Sequence, residues 1–263
     1  MRHARRLVPI LLILAAAFFV VHHYGWPWER AFPIRGDNVA AGDHRPDHAV
    51  SVSTLPSYTR EAVGTAWFRH YFTRMAFGDK NGPRSYTGEV TKWTKSRVAI
   101  DIVNAGGPGM TRYVEKLVGT LNKIESATRF VMVNGPAEIT ITFLSHKDFR
   151  RTGVDKHSVG DCSTEYSNGG GGLIYAHIIV DAGVLRTQLQ RRSTVIHELT
   201  HALGFNGHFR DAGYQQRSVL YYIGTITNWS QSDAAAIRVM YSSSIRHGMS
   251  VDDVEKALRR MGR

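Results

Sequence analysis

The chain has 263 residues, of which 43% are hydrophobic and 21% charged, and its formal net charge at pH 7 is +11. This composition is typical of a globular protein and excludes a disordered or fibrous chain. The single cysteine, Cys162, excludes an intramolecular disulfide, a multi-cysteine zinc site and an iron–sulfur cluster, so any metal site must use histidine and carboxylate ligands.

Residues 1–28 are typical of a signal peptide or signal anchor. Arg2, Arg5 and Arg6 precede an uncharged apolar run over 7–21, and the aromatic residues after it suit a membrane interface. No small-x-small cleavage site follows, which favours an uncleaved anchor. We therefore expect an exported, membrane-anchored protein whose body lies in the periplasm or outside the cell, or a secreted one if the signal is cleaved.

Residues 29–55 are rich in Pro, Gly, Asp and His and lack apolar periodicity, which predicts a linker, and one folded domain is expected over 56–263. This domain is still basic without the N-terminal arginines. In an exported protein, that charge favours an anionic envelope polymer or lipid surface over nucleic acid, and a solvated surface without a partner is the simpler alternative. The sequence does not indicate the oligomeric state.

The first elements of the domain follow from its apolar periodicity. Ser57 is expected to cap a helix with an apolar residue at every fourth position, ending near Gly78. A strand over 98–103, a helix over 114–124 and a strand over 139–143 follow. Because a β-α-β order joins parallel neighbours, we expect a parallel pair within a mixed sheet.

A polar stretch that contains Cys162 and Gly169–Gly172 comes next. The four glycines predict a flexible turn, because no Gly-Lys-Ser/Thr follows them as in a phosphate-binding loop. The run Leu173–Val180 predicts another strand. Near the end of the chain, Ser250 is expected to cap a short helix that reaches Met261.

The strongest functional signal is the sequence His-Glu-Leu-Thr-His on a predicted helix over 187–204. His197 and His201, four residues apart, project from successive turns of one helix face and can hold one tetrahedral Zn²⁺. Glu198 lies one residue further round, where its carboxylate can take a proton from a metal-activated water. The apolar residues expected on the opposite side of this helix are Leu189, Ile196, Leu199 and Leu203.

A third ligand is predicted shortly after this helix. Gly204 can adopt the left-handed conformation that ends a helix and reverses the chain, which lets His208 approach the metal. We therefore predict one zinc ion per chain, bound by His197, His201 and His208. A surface helix that carries two histidines by chance is the alternative.

The metzincin signature of secreted zinc peptidases, H-E-x-x-H-x-x-G-x-x-H, resembles the run from His197 to His208, which has one extra residue before its last histidine. The chain also resembles a bacterial family of exported zincin-like proteins over about 55–249. It keeps the three H-E-x-x-H residues that many members of that family lack. The resemblance implies an α/β (α+β) fold, with a zincin-like mixed β-sheet and an active-site helix bearing HExxH. It also implies a metallopeptidase with Glu198 as general base.

Three further segments carry the same resemblance. Ser230–Tyr241 resembles the last helix of matrixin-like metzincins, which Ser and Asp residues cap. Leu173–Val180 has the position of the metzincin edge strand, along which an extended peptide would bind. Leu220 stands in the place of the methionine beneath the metal, and we prefer it to Met240, whose helical surroundings indicate a core residue.

Other candidate residues each have a simpler alternative. Tyr221 or Tyr222 could donate a hydrogen bond to an oxyanion or substrate, or the pair could simply pack. His177 could point from its strand into the cleft, or be an ordinary hydrogen-bonded histidine. Asp211 could orient a ligand imidazole or be a solvated acid. Cys162 could bind zinc in a latent state or be a small buried residue.

These observations predict a zinc metallopeptidase that hydrolyses peptide bonds outside the cytoplasm, with a peptide or protein as its substrate. One alternative is a catalytically silent zincin-like binding module of the cell envelope. Another is a cell-wall peptide hydrolase, for which the basic charge would suit an anionic polymer. The sequence does not indicate the cleavage specificity.

Overall fold

The computed structural model of the chain describes residues 55–78, 87–107, 109–125, 127–167, 171–215, 217–221 and 225–262. The expected targeting segment, the expected linker up to residue 54 and Tyr222 lie outside the described residues. Within the described ranges, no helix is long and apolar enough to cross a lipid bilayer.

The described part of the chain contains a five-stranded mixed sheet. Its strands are β1 (Arg97–Val103), β2 (Arg129–Met132), β3 (Ile139–Leu144), β4 (Gly160–Tyr166) and β5 (Leu173–Asp181). Their order across the sheet is β2-β1-β3-β5-β4. Four strands are parallel, and β4 runs antiparallel to β5. The predicted parallel pairing of the strands now labelled β1 and β3 is confirmed.

Seven α-helices accompany the sheet in the described residues, so the fold is mixed α/β. They are α1 (Ser57–Gly64), α2 (Ala66–Phe77), α3 (Met110–Ile124), α4 (His146–Arg151), α5 (Gln188–Ala202), α6 (Gln231–Met240) and α7 (Val251–Met261). The sequence predicts α3, α5, α6 and α7 correctly. It does not predict α4 or β2, which have only six and four residues and are too short to show a clear apolar period.

The predicted helix from Ser57 to Gly78 is in fact two helices. Thr65 has an extended backbone between α1 and α2, and its hydroxyl accepts a hydrogen bond from Phe68 N at 3.1 Å. Because an N-cap residue is itself not helical, the residue that caps α2 also ends α1. Ser57 is the first residue of α1 rather than its cap.

Alternation along the strands separates a core face of the sheet from a polar face. Ile139 and Ile141 of β3 and Ile178 of β5 are fully buried in the main hydrophobic core. Helix α5 packs on this side, against β4 and β5. Thr140 and His177 are cross-strand neighbours on the opposite face, because successive side chains of a strand point to opposite sides.

The edge strand beside α5 is β4, which corrects the prediction that Leu173–Val180 lies at the edge. That segment forms β5 and pairs with β3 on one side and β4 on the other. Its apolar sequence fits an interior strand, since Ile178, Ile179 and Val180 are all buried. The sequence does not predict β4, because its polar residues show no apolar alternation.

Candidate metal centre

Helix α5 carries the H-E-x-x-H residues and begins where the sequence predicts. The Thr187 side chain accepts a hydrogen bond from Gln190 N, and the Gln190 side chain returns one to the backbone of Thr187, which forms a capping box. Ile196 and Leu199 are fully buried, as expected. Leu189, in the first turn of α5, is 49% exposed and does not join the core. An apolar side chain is buried only where another part of the chain packs against it.

Two distant side chains hold the C-terminal end of α5. The indole Nε1 of Trp93 donates to the carbonyl oxygen of Ala202 at 2.8 Å, and the Tyr241 hydroxyl donates to that of Leu203 at 3.0 Å. The last carbonyls of a helix have no partner within the helix, so these bonds satisfy them and fix the end that bears His201. Sequence analysis does not predict either contact, because the two residues lie 109 and 38 positions away from their partners.

The chain then turns back at Gly204, as the sequence predicts. Gly204 has a φ of 98°, and a Cβ at this position would lie only 1.9 Å from the carbonyl oxygen of Thr91. Only glycine fits both conditions. Beyond it, Asn206 N and Gly207 N donate to the carbonyls of Ala76 and Met75, so the end of α2 holds the turn.

This turn brings His208 to the two histidines of α5. The Nε2 atom of His208 lies 3.0 Å from that of His197 and 3.0 Å from that of His201, and the latter two are 3.2 Å apart. The predicted three-histidine cluster therefore forms, despite the extra residue before His208. Each imidazole presents the same ring nitrogen to a common point.

Backbone carbonyls set the protonation of two of these rings. The Nδ1 atom of His197 lies 2.8 Å from the carbonyl oxygen of Val219, and the Nδ1 atom of His201 lies 2.5 Å from that of Phe205. A carbonyl oxygen only accepts hydrogen bonds, so both Nδ1 atoms must carry the proton. In the neutral rings, the Nε2 atoms of His197 and His201 then present lone pairs to the centre of the cluster.

This donor set fits a metal ion. Two nitrogens that bind one tetrahedral zinc at about 2.0–2.1 Å are about 3.3 Å apart, close to the 3.0–3.2 Å observed. Two unprotonated nitrogens at this separation repel each other unless a cation lies between them. His197, His201 and His208 could therefore hold a metal ion.

Glu198 lies on a different side of α5 and faces the edge strand. Its side chain is buried, with 8% exposure, although the sequence places it away from the core side of the helix. A Cβ at Gly160 of β4 would lie 2.9 Å from Glu198 Oε1 and 2.5 Å from Thr194 Cγ2. Gly160 thus leaves the space in which the Glu198 carboxylate lies.

Cys162 follows two residues later on β4. Its cross-strand partner is Ile178, which is a core residue, so Cys162 points to the same face of the sheet as Gly160. Burial, together with the nearby carboxylate of Glu198, raises the pKa of its thiol well above the ordinary value. The thiol form is therefore favoured over the thiolate that would bind a metal, and Cys162 packs against the core as a partly buried residue.

A buried carboxylate supports the loop opposite α5. Asp233, the third residue of α6, is fully buried and accepts hydrogen bonds from the hydroxyls of Tyr71 and Ser218, at 2.6 and 3.0 Å. It also accepts from Val219 N at 3.3 Å and Ser230 N at 2.9 Å. Burial raises the pKa of Asp233 above its ordinary value, against the effect of these bonds. The sequence identifies Asp233 as a helix cap but not as a support for Val219.

Residues 220 and 240 are both fully buried. Leu220 directly follows Val219, whose carbonyl binds His197. Met240 is the last residue of α6, in agreement with its predicted helical surroundings. Whether Leu220 takes the place of the metzincin methionine stays a prediction.

The other candidate residues take up different positions. Tyr221 is buried and bridges to Phe209, the residue after His208. His177 lies on the polar face of the sheet, with its Nε2 atom 3.1 Å from Thr142 Oγ1, and so is not brought to the cluster. Asp211 forms an exposed salt bridge with Arg74. It does not orient His197 or His201, whose Nδ1 partners are backbone carbonyls.

The fold and the site together define a mixed α/β protein. Its three-histidine cluster lies where the chain reverses direction after helix α5. Residues 66–260 match the model of a family described as a protein of unknown function, DUF2927. The chain belongs to this family. No curated protein matches the sequence.

Proposed function

We propose that this protein is a zinc-dependent metallopeptidase with a zincin-like, metzincin-like architecture that acts outside the cytoplasm. The observation that carries the proposal is the convergence of the Nε2 atoms of His197, His201 and His208 to within 3.0–3.2 Å of one another. Metal ligands of this kind, on a helix and the turn that follows it, are those of a catalytic site that leaves one coordination position open.

The protein's own groups divide the work as follows. His197, His201 and His208 would hold the metal, and Glu198 would take a proton from the attacking water and pass it to the leaving amine. When bound, zinc supplies a Lewis acid that polarises a carbonyl and lowers the pKa of water toward about 7. The position of Glu198, next to His197 on α5 and buried beside Gly160, supports this role, because a general base must be held within reach of the proton that it takes.

The open side of β4 supports a peptide substrate. In the described part of the chain, β4 pairs with β5 on one side only. Gly160 of β4 lies beside the Glu198 carboxylate. An unpaired strand edge offers a row of backbone donors and acceptors to an extended peptide. A peptide added along β4 would place a scissile carbonyl beside α5.

The first test is the zinc content of the full chain, purified without a metal-affinity tag and measured by elemental mass spectrometry. The parent should hold about one zinc per chain, as expected for a site with three histidine ligands. His208→Ala should lose most of it, whereas the control His157→Ala, at an exposed position, should not. No zinc in a folded parent incubated with the metal would overturn the proposal.

The second test separates catalysis from binding. On a peptide library, Glu198→Gln should abolish cleavage but keep the zinc, whereas the control Glu115→Gln, at an exposed position of α3, should keep both. If the parent binds zinc and cleaves no peptide, or if Glu198→Gln cleaves as well as the parent, the protein is a binding module rather than a peptidase. Cleavage of cell-wall peptides alone would assign the cell-wall hydrolase.

A further inference from the structure

Four aromatic rings form a stack that runs to the surface from the turn after α5 that carries the candidate ligand His208, named here the metal-site loop. Phe209, which follows the candidate ligand His208, stacks on Tyr71 with ring centroids 4.9 Å apart and on Tyr214 at 4.4 Å. Trp67, at the second position of α2, stacks on Tyr71 at 5.2 Å with an interplanar angle of 15°. Phe209 and Tyr71 are fully buried, whereas Trp67 is 40% exposed. The stack therefore holds an exposed indole in a fixed orientation.

This indole lines an open pocket of about 410 Å³. Its other lining residues come from the loop before α6 and from the start of that helix, namely Arg217, Ser230, Gln231 and Ser232. The Ser230 hydroxyl donates to the carbonyl oxygen of Arg217 at 2.6 Å, which ties the loop to the helix. The volume falls in the range of clefts that bind small ligands, about 300–1,000 Å³.

The chemistry of the lining combines a flat apolar surface with neutral hydrogen-bonding groups and one cation. An indole face suits the C–H face of a sugar ring. The hydroxyl of Ser232 and the amide of Gln231 can donate to or accept from sugar hydroxyls, whereas the Ser230 hydroxyl already donates to Arg217 and can only accept. In the described residues, Arg217 forms no salt bridge, so its guanidinium is available to a carboxylate.

We infer that this pocket is a binding site for an acidic saccharide, that is, a sugar ring that carries a carboxylate. Each kind of lining group then has a partner on the ligand. The indole packs on the sugar ring, the neutral groups bind its hydroxyls by hydrogen bonds, and Arg217 binds the carboxylate. The net charge of +11 favours the approach of an anionic polymer built from such units.

An extended peptide is a poorer match for this pocket. A peptide that binds by strand addition needs a free strand edge, and the described lining comes from α2, α6 and a loop, with no strand. The site is separate from the three histidines and does not rest on the proposed peptidase function. It would hold an envelope polymer near the metal-site loop whatever reaction that site performs.

The test compares two sugars that share one ring and differ in a single carboxylate. The full chain is titrated with glucuronic acid and with neutral glucose, which has a CH₂OH group in place of the carboxylate, and binding is followed by saturation-transfer NMR and calorimetry. The parent should bind the acidic sugar at least about tenfold more tightly, as expected for one charge-assisted contact. Trp67→Ala should abolish binding of both sugars, and Arg217→Gln should remove only the preference.

Matched controls keep the outcome clear. Tyr166→Ala removes an aromatic ring of similar exposure, 42% against 40%, and Arg260→Gln removes an exposed arginine of α7; both should bind like the parent. If Trp67→Ala does not fold, the inference is tested by the sugar binding of Trp67→Phe and Arg217→Gln instead. Equal binding of the two sugars, no binding, or a response only to an acidic peptide would overturn the inference. Removal of the metal with a chelator should leave sugar binding unchanged, which separates this result from that of the peptidase test.

Discussion

The imidazole of His197 and the backbone of Val219 are joined by a hydrogen bond of 2.8 Å between Nδ1 and the carbonyl oxygen. The backbone N–H of Val219 donates a hydrogen bond to the buried carboxylate of Asp233 at 3.3 Å. Val219 therefore links a candidate metal ligand to a charge on another helix. Groups that orient a ligand imidazole set its tautomer and its affinity for the metal.

Asp233→Asn should weaken zinc binding by about tenfold, because partners outside the ligand set typically contribute 10- to 100-fold in affinity. The amide group would face donors from Tyr71, Ser218, Val219 and Ser230, and an NH₂ cannot accept their hydrogen bonds. The free energy of unfolding should fall by about 1–3 kcal/mol. Competition with a chromophoric chelator and urea denaturation measure the two effects. Parent-like affinity would show that Val219 is held without Asp233; the exposed Asp252→Asn is the control.

Gly160→Ala should reduce peptide cleavage by about 100-fold, the effect expected when a catalytic group moves by roughly 1 Å. The new methyl would lie 2.9 Å from Glu198 Oε1 and displace the carboxylate, while the three histidines keep their zinc. Steady-state kinetics with zinc content measured on the same samples checks the prediction. Gly88→Ala, where nothing lies within 4 Å of the added atom, is the matched control. A Gly160→Ala protein with full activity would mean that Glu198 tolerates this movement.

Gly204→Ala and Gly119→Ala should change stability in opposite directions. The first adds a Cβ 1.9 Å from the Thr91 carbonyl oxygen at a φ of 98° and should lower the free energy of unfolding by more than about 1 kcal/mol. The second lies on the exposed side of α3 with nothing within 4 Å and should raise it by about 0.5–1 kcal/mol. Chemical denaturation of both variants tests the pair. Destabilisation of similar size in the two would be evidence against the close approach at Gly204.

His177→Gln should make the stability of the protein less sensitive to acid. Burial lowers the pKa of His177 below its ordinary value of 6.5, so the fold favours the neutral ring. The stability that this ring contributes is fully present above pH 6.5 and is lost as the pH falls through the lower pKa of the folded state. Between pH 7 and 5, unfolding free energies should therefore fall less in His177→Gln than in the parent.

The comparison of these slopes isolates His177 from the other histidines, which are common to both proteins. His157→Gln, at an exposed position, should keep the parent slope. Identical slopes for the parent and His177→Gln would contradict the predicted direction of the pKa shift. Glutamine keeps a polar group near Thr142, so loss of the hydrogen bond at 3.1 Å should contribute little.

Much of the fold could be predicted from local sequence. The helices α3, α5, α6 and α7 and the strands β1, β3 and β5 have apolar periods or capping residues that appear within one short segment. The break at Thr65 and the strand β4 could not be predicted in this way. Thr65 interrupts an apolar period that continues across it, and β4 has polar residues that become a strand only through pairing with β5.

The sequence by itself determined the three-histidine cluster, because the spacing of His197 and His201 on a helix and the glycine before His208 are local constraints on backbone geometry. Only the tertiary structure decided what surrounds that cluster. The close approach of Gly160 to Glu198, the support of Val219 by Asp233 and the stack that ends at Trp67 join segments far apart in the chain. Such contacts depend on how the sheet and helices pack, and no spacing along the sequence encodes that packing.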